Sequence, residues 1–307
     1  MKKFLIKCLL IFCIVTAGFT YALYSHGGTI DYFYNKFTTP TQKSLITGDS
    51  RSLQGIQPSV LNKCLAGSNY ELPFFNFSFT IKEAAYGPLY TESILKKLDP
   101  ETKNGVFILT VDPWLFAKRP DENYQEKEYF EKGKPPHNMT FYSANPNYEY
   151  LIRNYGYFHF RSIFSKPSEL HKDGWLEERK LPEDSAAFNR LLDLQHQRYT
   201  EFAAAWKKDE FRMKELRKLV ERLQKHGKVF LVRLPTIKSI EDIEDKFWPG
   251  FDAEIQQVAY AQKVSYLNFV AVKGYQTYDG NHLDKKGGAE FTKTLCDSII
   301  AKDRAIN

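Results

Sequence analysis

Cysteine is scarce in this chain. There are four in 307 residues, and two of them, Cys8 and Cys13, fall in an apolar N-terminal run. That excludes a disulfide-dense scaffold and leaves only Cys64 and Cys296 in the body of the chain. A Gly-rich phosphate loop and a dinucleotide fingerprint are both missing, which removes nucleotide-cradling chemistry. The histidines His137, His159 and His171 lack the spacing of a metal cage and read as surface or packing residues. Neither a metal nor a diffusible cofactor is expected. Internal repeats and low-complexity tracts are also lacking. No block of one charge sign dominates: the net charge of +6 owes part of its excess to Lys2, Lys3 and Lys7, and the remaining basic residues are interspersed with acidic ones. No nucleic-acid partner is expected from such a distribution, although a basic outer face weakly favours anionic polymers.

What is present begins with a targeting segment. Positive charge at Lys2 and Lys3 precedes a stretch, Cys8 to Tyr24, without a single charged side chain. Its length suits a bilayer crossing. A small-residue cleavage site is not evident at Tyr21-Ala22-Leu23-Tyr24, and Lys7 and Phe12 spoil any lipoprotein box before Cys8 or Cys13. Residues 1–25 therefore read as an uncleaved signal anchor, basic end inside and the remainder outside the cytoplasm. Residues 26–43 read as a stalk, and 44–307 as one α/β domain. If that domain is exported, Cys64 and Cys296 either pair or remain two buried thiols.

Five apolar, β-rich segments follow: Ser44–Gly48, Phe74–Phe79, Val106–Val111, Lys228–Leu234 and Tyr266–Val270. Helical patterns separate them. Ala85–Leu98 is one. Leu216, Leu219, Val220 and Leu223 line another, with His226-Gly227 as its stop signal. Phe251–Lys263 and Lys285–Ile300 complete the set. Alternation of strand and helix predicts a parallel sheet covered on both faces, with right-handed crossovers bringing the strand C-terminal ends to one rim. The exception is 115–182, which is rich in Tyr, Phe, Asn, Lys and Pro and has no clear period. An insertion there is either a lid whose aromatics stack on sugar rings or a satellite core packed on the sheet.

Two motifs fall on the predicted rim. Thr47-Gly48-Asp49-Ser50-Arg51 follows the first strand, and Asp279-Gly280-Asn281-His282 follows the fifth. A serine on a strand-to-helix turn exposes its hydroxyl beside free helix N–H groups. A histidine can take its proton, and an aspartate three residues earlier can hold the imidazole in one tautomer. The same residues also fit a plain helix cap at Ser50 or Asp49 and a plain turn at the second run. Arg51 is a candidate to meet a carboxylate or to steady the turn, and Arg233 lies on the same rim.

On Gly48-Asp49-Ser50 and Asp279-x-x-His282, in this order, the chain resembles the SGNH (GDSL-type) hydrolase superfamily over about residues 44–300. The resemblance implies a flavodoxin-like three-layer fold, Ser50 as nucleophile, His282 as base and Asp279 as its orienting partner. It also implies an oxyanion hole. Asn76-Phe77-Ser78 is the counterpart of the family's second block, with Ser78 in the glycine slot. The third block, usually Gly-x-Asn-Asp, is replaced by Thr110-Val111-Asp112-Pro113-Trp114, without asparagine. An ionised Asp112 cannot donate and would oppose an oxyanion, leaving the Ser50 and Ser78 N–H groups. Together with the N-terminal anchor, these departures look like membrane-anchored acyltransfer proteins of teichoic acid and exopolysaccharide systems. That implies a surface polysaccharide or other acylated substrate, a multi-pass membrane acyltransferase as partner, and acyl-Ser50. An esterase, or an idle glycan-binding scaffold, is the alternative.

Overall fold

Short apolar runs broken by glycine and by amphipathic helical stretches give the chain its layered organisation. The computed structural model describes residues 1–26, 31–154 and 168–306. His159 lies outside the described residues. Helix α1 (Lys2–His26) comes first, and its Lys2–Ala22 stretch has a mean hydropathy of 2.1 with none of its surface buried inside the protein. At 1.5 Å per residue that stretch is about 31 Å long, enough to cross a bilayer.

The domain is built on five parallel strands: β1 (Ser44–Thr47), β2 (Phe74–Asn76), β3 (Gly105–Thr110), β6 (Gly227–Arg233) and β7 (Ser265–Asn268). Their order in the sheet is β2-β1-β3-β6-β7. Taken in chain order, this is the doubly wound 2-1-3-4-5 arrangement, with its switch point between β1 and β3. One apolar layer forms on each face of the sheet. The first gathers Leu45, Phe107, Leu109 and Leu231 with α4 (Pro88–Lys97), α7 (Phe211–Leu223) and α9 (Phe251–Gln262). The second gathers Ile46, Ile108 and Val232 with α3 (Pro58–Cys64) and α10 (Lys285–Ile306). Strands buried on both faces have no polar alternation to show, so they read as continuous apolar runs. The α/β fold class and parallel sheet expected from the alternation are the ones observed.

Several boundaries differ from expectation for identifiable reasons. Predicted strand Phe74–Phe79 stops at Asn76: the Phe77 and Phe79 N–H groups still donate to the Ile46 and Gly48 carbonyls, but the Ser78 N–H is taken by the Asn76 side chain. Gly227 is the first residue of β6 and not a helix cap: at φ +158° it lies so close to β3 that a Cβ would sit 1.9 Å from the Gly105 carbonyl oxygen. The expected stalk is partly domain. A 3₁₀ turn at Tyr34–Phe37 buries Tyr34 and Phe37 in the first core layer. Lys36, also buried, donates to the carbonyls of Asn76 and Gly174. Burial depresses its amine, and it pushes the nearby buried Lys97 down to about 7.

The aromatic insertion, apart from residues 155–167, which lie outside the described residues, packs on the core. Tyr142 and Tyr150 pack against Phe37, with α5 (Tyr148–Asn154) carrying Tyr150 inward. The hairpin β4 (Ser168–Leu170) and β5 (Leu176–Glu178) closes over the other end, where the Trp175 indole donates to the Gln54 carbonyl at 2.6 Å. Two helices had no sequence counterpart: α6 (Ser185–Ala205) and α8 (Lys238–Phe247), which pack on each other.

Candidate active site

The turn after β1 fits glycine and little else. Gly48 has φ +143°, and a Cβ there would lie 1.8 Å from Thr110 Oγ1. Asp49 caps the short helix α2 (Ser50–Gly55), its carboxylate accepting from the Arg51 N–H at 3.0 Å. Ser50 is thereby the first residue of α2, half-buried, with an N–H that has no intrahelical acceptor. The second motif is an Asx turn. Asp279 Oδ1 accepts the N–H groups of Asn281 and His282 at 2.9 and 2.8 Å, and Gly280 takes φ +79°. That folds the His282 side chain back toward its own aspartate.

The two turns meet. Ser50 Oγ lies 2.8 Å from His282 Nε2, and His282 Nδ1 lies 2.8 Å from Asp279 Oδ2. The same Asp279 oxygen accepts from Gln195 Nε2 at 2.6 Å. Burial works against the Asp279 charge, but His282 and the two turn N–H groups outweigh it and hold the carboxyl below the ordinary range. Tyr278 stacks on the imidazole, with ring centroids 5.7 Å apart, and its hydroxyl donates to Gln54 on α2 at 2.7 Å. A hydroxyl, a base and an orienting carboxylate in line can transfer a proton from Ser50 as its oxygen attacks an electrophilic carbonyl.

The other four residues named from sequence stand around this line and not in it. Asn76 Nδ2 donates to the Ser52 and Ile56 carbonyls at 2.8 and 3.0 Å, holding α2. The Ser78 N–H donates to Asn76 Oδ1 at 3.1 Å, so it is not a free oxyanion donor, and the Ser78 side chain is buried against Ser52. Arg51 is turned inward. It donates to Asn281 Oδ1 at 2.8 Å and to Glu244 at 2.6 Å, beneath the Tyr199 ring. Glu244 also accepts from Arg233 and from the Trp114 indole, both at 2.9 Å. Arg233 therefore serves the same buried hub, not a substrate.

Asp112 departs furthest from expectation. Its Oδ1 accepts from the Trp114 and Leu115 N–H groups, and its carboxyl lies beside that of Asp49, whose buried Oδ2 has no other partner among the described residues. Both are buried. Burial, then the Asp49 charge, pushes Asp112 well above the carboxylate range against the pull of Arg51. Asp49 is raised too, by its own burial. Two carboxyls in contact share one proton, and Asp112 is the acid of the pair. The expected negative charge beside the oxyanion is thus neutralised, but its proton is given to Asp49.

His137 is a packing residue, with Nε2 at 2.7 Å from the Glu83 carbonyl. His171 stacks on Trp175 and approaches Glu177 at 2.9 Å. With Glu169 these form a His/Glu grouping, but Arg179 and Lys285 already neutralise the two carboxylates. Gln195, Tyr278 and Glu244 were not singled out from sequence. Tyr278 adjoins Asp279, which was the available signal; Gln195 sits on α6, which buries few apolar positions, and Glu244 on α8, where Ile240, Ile243 and Phe247 at helical spacing were the signal.

A doubly wound α/β domain with a Ser–His–Asp relay on the C-terminal rim of its sheet is the class defined here. Motif order and strand order together make the resemblance to SGNH-type hydrolases one of architecture as well as of sequence. No family model matches the chain, nor does any curated protein. Among solved structures it is similar to Est24, a carbohydrate acetylesterase from Sinorhizobium meliloti, at 12% identity and TM-score 0.41, covering 85% of this chain and 99% of that one. An M. smegmatis aryl esterase matches at 12% identity and TM-score 0.39, over 85% and 99% of the two chains. A carbohydrate acetylesterase family member from Sinorhizobium meliloti matches at 12% and 0.37, over 84% and 97%. At such values the likenesses carry no weight for activity, which rests on the site itself.

Proposed function

We propose that this chain is a serine-dependent acyl-transfer enzyme that moves a small acyl group, acetyl in the first instance, to or from a cell-surface polysaccharide. The carrying observation is the Ser50–His282–Asp279 line, with both contacts at 2.8 Å. In the first half-reaction His282 Nε2 takes the Ser50 proton as Oγ bonds to the acyl carbonyl carbon. The imidazolium then protonates the departing oxygen, and the carbonyl–oxygen bond breaks to leave acyl-Ser50. In the second half, His282 deprotonates an acceptor hydroxyl, which attacks the acyl carbon and releases Ser50. Asp279 keeps Nδ1 protonated throughout, and Gln195 and Tyr278 hold the pair in place. The Ser50 N–H supports the developing oxyanion.

Whether the acceptor is a sugar or water separates acyltransferase from esterase. The transferase reading draws support from α1 as an anchor with its lysines inside, from the Cys64–Cys296 disulfide, which suits an oxidising compartment, and from the resemblance to anchored acyltransfer proteins. A multi-pass membrane acyltransferase would then supply the acyl group on the outer face. The test is intact-mass analysis of the full chain and of Ser50→Ala after a fluorophosphonate and, separately, an activated acetyl ester. One adduct on the native protein and none on the variant is expected; adducts on both, or on neither, would overturn the reading. Faster loss of acetyl from Ser50 on adding oligosaccharide, with acetyl recovered on the sugar, marks the transferase. Loss unaffected by oligosaccharide marks the esterase.

A further inference from the structure

Away from the relay, the C-terminal half of α6 and the neighbouring face of α8 enclose a groove of about 550 Å³. Its walls are Trp206 and Phe247, and its rim carries Lys207, Lys208 and Lys246. Both rings are fixed. Trp206 is covered on both faces, by Phe202 with centroids 4.1 Å apart and by the Arg119 guanidinium at 4.6 Å, whereas Phe247 stacks on Trp114 at 4.7 Å and lines the groove itself. The backbone of Lys207 is pinned by a two-way bridge to Lys118, at 3.0 and 2.8 Å. Lys208 pairs with Glu254 at the edge. Among the described residues, no carboxylate lies within ion-pair distance of Lys207 or Lys246, and no acidic residue lines the groove. A rigid aromatic floor under unpaired ammonium groups is built for a ligand with flat apolar faces and negative charge.

The groove also has a fixed relation to the relay. Helix α6 carries Gln195, which holds Asp279, and Thr200, which lines the groove. Five residues of helix separate them by about 8 Å along the axis. We propose that this groove is a binding subsite for an anionic polysaccharide, with a sugar ring on Phe247 and its carboxylate or phosphate groups on Lys207 and Lys246. This inference rests on the polysaccharide reading above and names the charge of the polymer and where it docks. A polysaccharide is favoured over a nucleic acid because α1 and the disulfide suit a domain held outside the cytoplasm.

The test is calorimetric titration of the full chain, held in a polyoxyethylene detergent that has no sugar headgroup. The probes are hexagalacturonate, neutral cellohexaose and a hexathymidylate. Hexagalacturonate is expected to bind at least about tenfold more tightly than either of the others and to weaken steeply with ionic strength. Phe247→Ala is expected to lose about fivefold, and Lys207→Glu with Lys246→Glu at least about tenfold. Equal binding of cellohexaose, tighter binding of hexathymidylate, absence of binding, or indifference to all three substitutions would each overturn the subsite. Fluorophosphonate labelling of Ser50 in the same preparations keeps the two readings apart. Labelled Ser50 without saccharide binding sinks the subsite alone. Saccharide binding lost in the variants, beside an unlabelled Ser50, supports the subsite and removes acyl transfer.

Discussion

Asp112 shows how far a single carboxyl can depart from its sequence reading. On paper it is a negative charge where an oxyanion would form. In the fold it is buried against Asp49 and keeps its proton, because burial and the Asp49 charge outweigh the pull of Arg51. The consequence is a pH dependence of stability. The folded chain holds the proton at pH values where the unfolded chain has released it. The stabilisation is therefore complete below the ordinary aspartate range and is lost as pH rises toward the folded value. Asp112→Asn keeps an acceptor for the Trp114 and Leu115 N–H groups and a donor for Asp49, without titrating. Denaturant unfolding across pH is expected to show the variant gaining on the native protein as pH rises above the aspartate range. Parallel curves would mean that the pair does not share a proton. Ser78 teaches a similar lesson: its N–H is spoken for by Asn76, two residues away.

Helix α8 was not read from the sequence, although Ile240, Ile243 and Phe247 stand at helical spacing, and it supplies Glu244, on which three elements converge. Arg51 from α2, Arg233 from the end of β6 and Trp114 from the turn after β3 all donate to this one buried carboxylate. Burial works against its charge, and the two guanidinium groups outweigh it, so it stays ionised. Removing one partner from such a cluster leaves buried charge uncompensated. Glu244→Ala is expected to cost about 3–5 kcal/mol of stability by chemical denaturation. It should also loosen the α2 turn, visible as slower fluorophosphonate labelling of Ser50 in the protein that remains folded. A loss under 1 kcal/mol, about that of a surface pair, would show that the hub is solvated. Helix α6 is a different case. Most of its residues face solvent or a groove, so it carries few of the buried apolar positions by which a helix is recognised.

The molecule closes on itself where its two motif-bearing ends meet. Helix α10, after His282, packs on α2 and α3, after Ser50, and Cys64–Cys296 joins α3 to α10 across 232 residues of sequence. A bridge over so long a loop constrains the unfolded chain strongly. Replacing both cysteines by alanine is expected to lower stability by about 2–5 kcal/mol, measured by denaturant titration against the untreated protein. Native protein treated with reductant should move toward the variant. Coincident curves for all three samples would show that the bridge adds nothing.

The sequence by itself determined the α/β class, the five strands to within a few residues, the apolar N-terminal helix and the two motifs. These are local properties: apolar runs, glycine at a forced φ, and an aspartate placed to close an Asx turn. It also held both cysteines without saying that they pair, since pairing depends on how α3 and α10 dock. Tertiary structure alone decided what the remaining polar residues do. Arg51 and Arg233 turned inward because Glu244 was there to receive them. Asp112 stayed protonated because Asp49 was already buried beside it. Tyr142 and Tyr150 became core because Phe37, expected in a stalk, folded under them. Charge state and burial are set by neighbours far apart in the chain, and no local pattern encodes those neighbours.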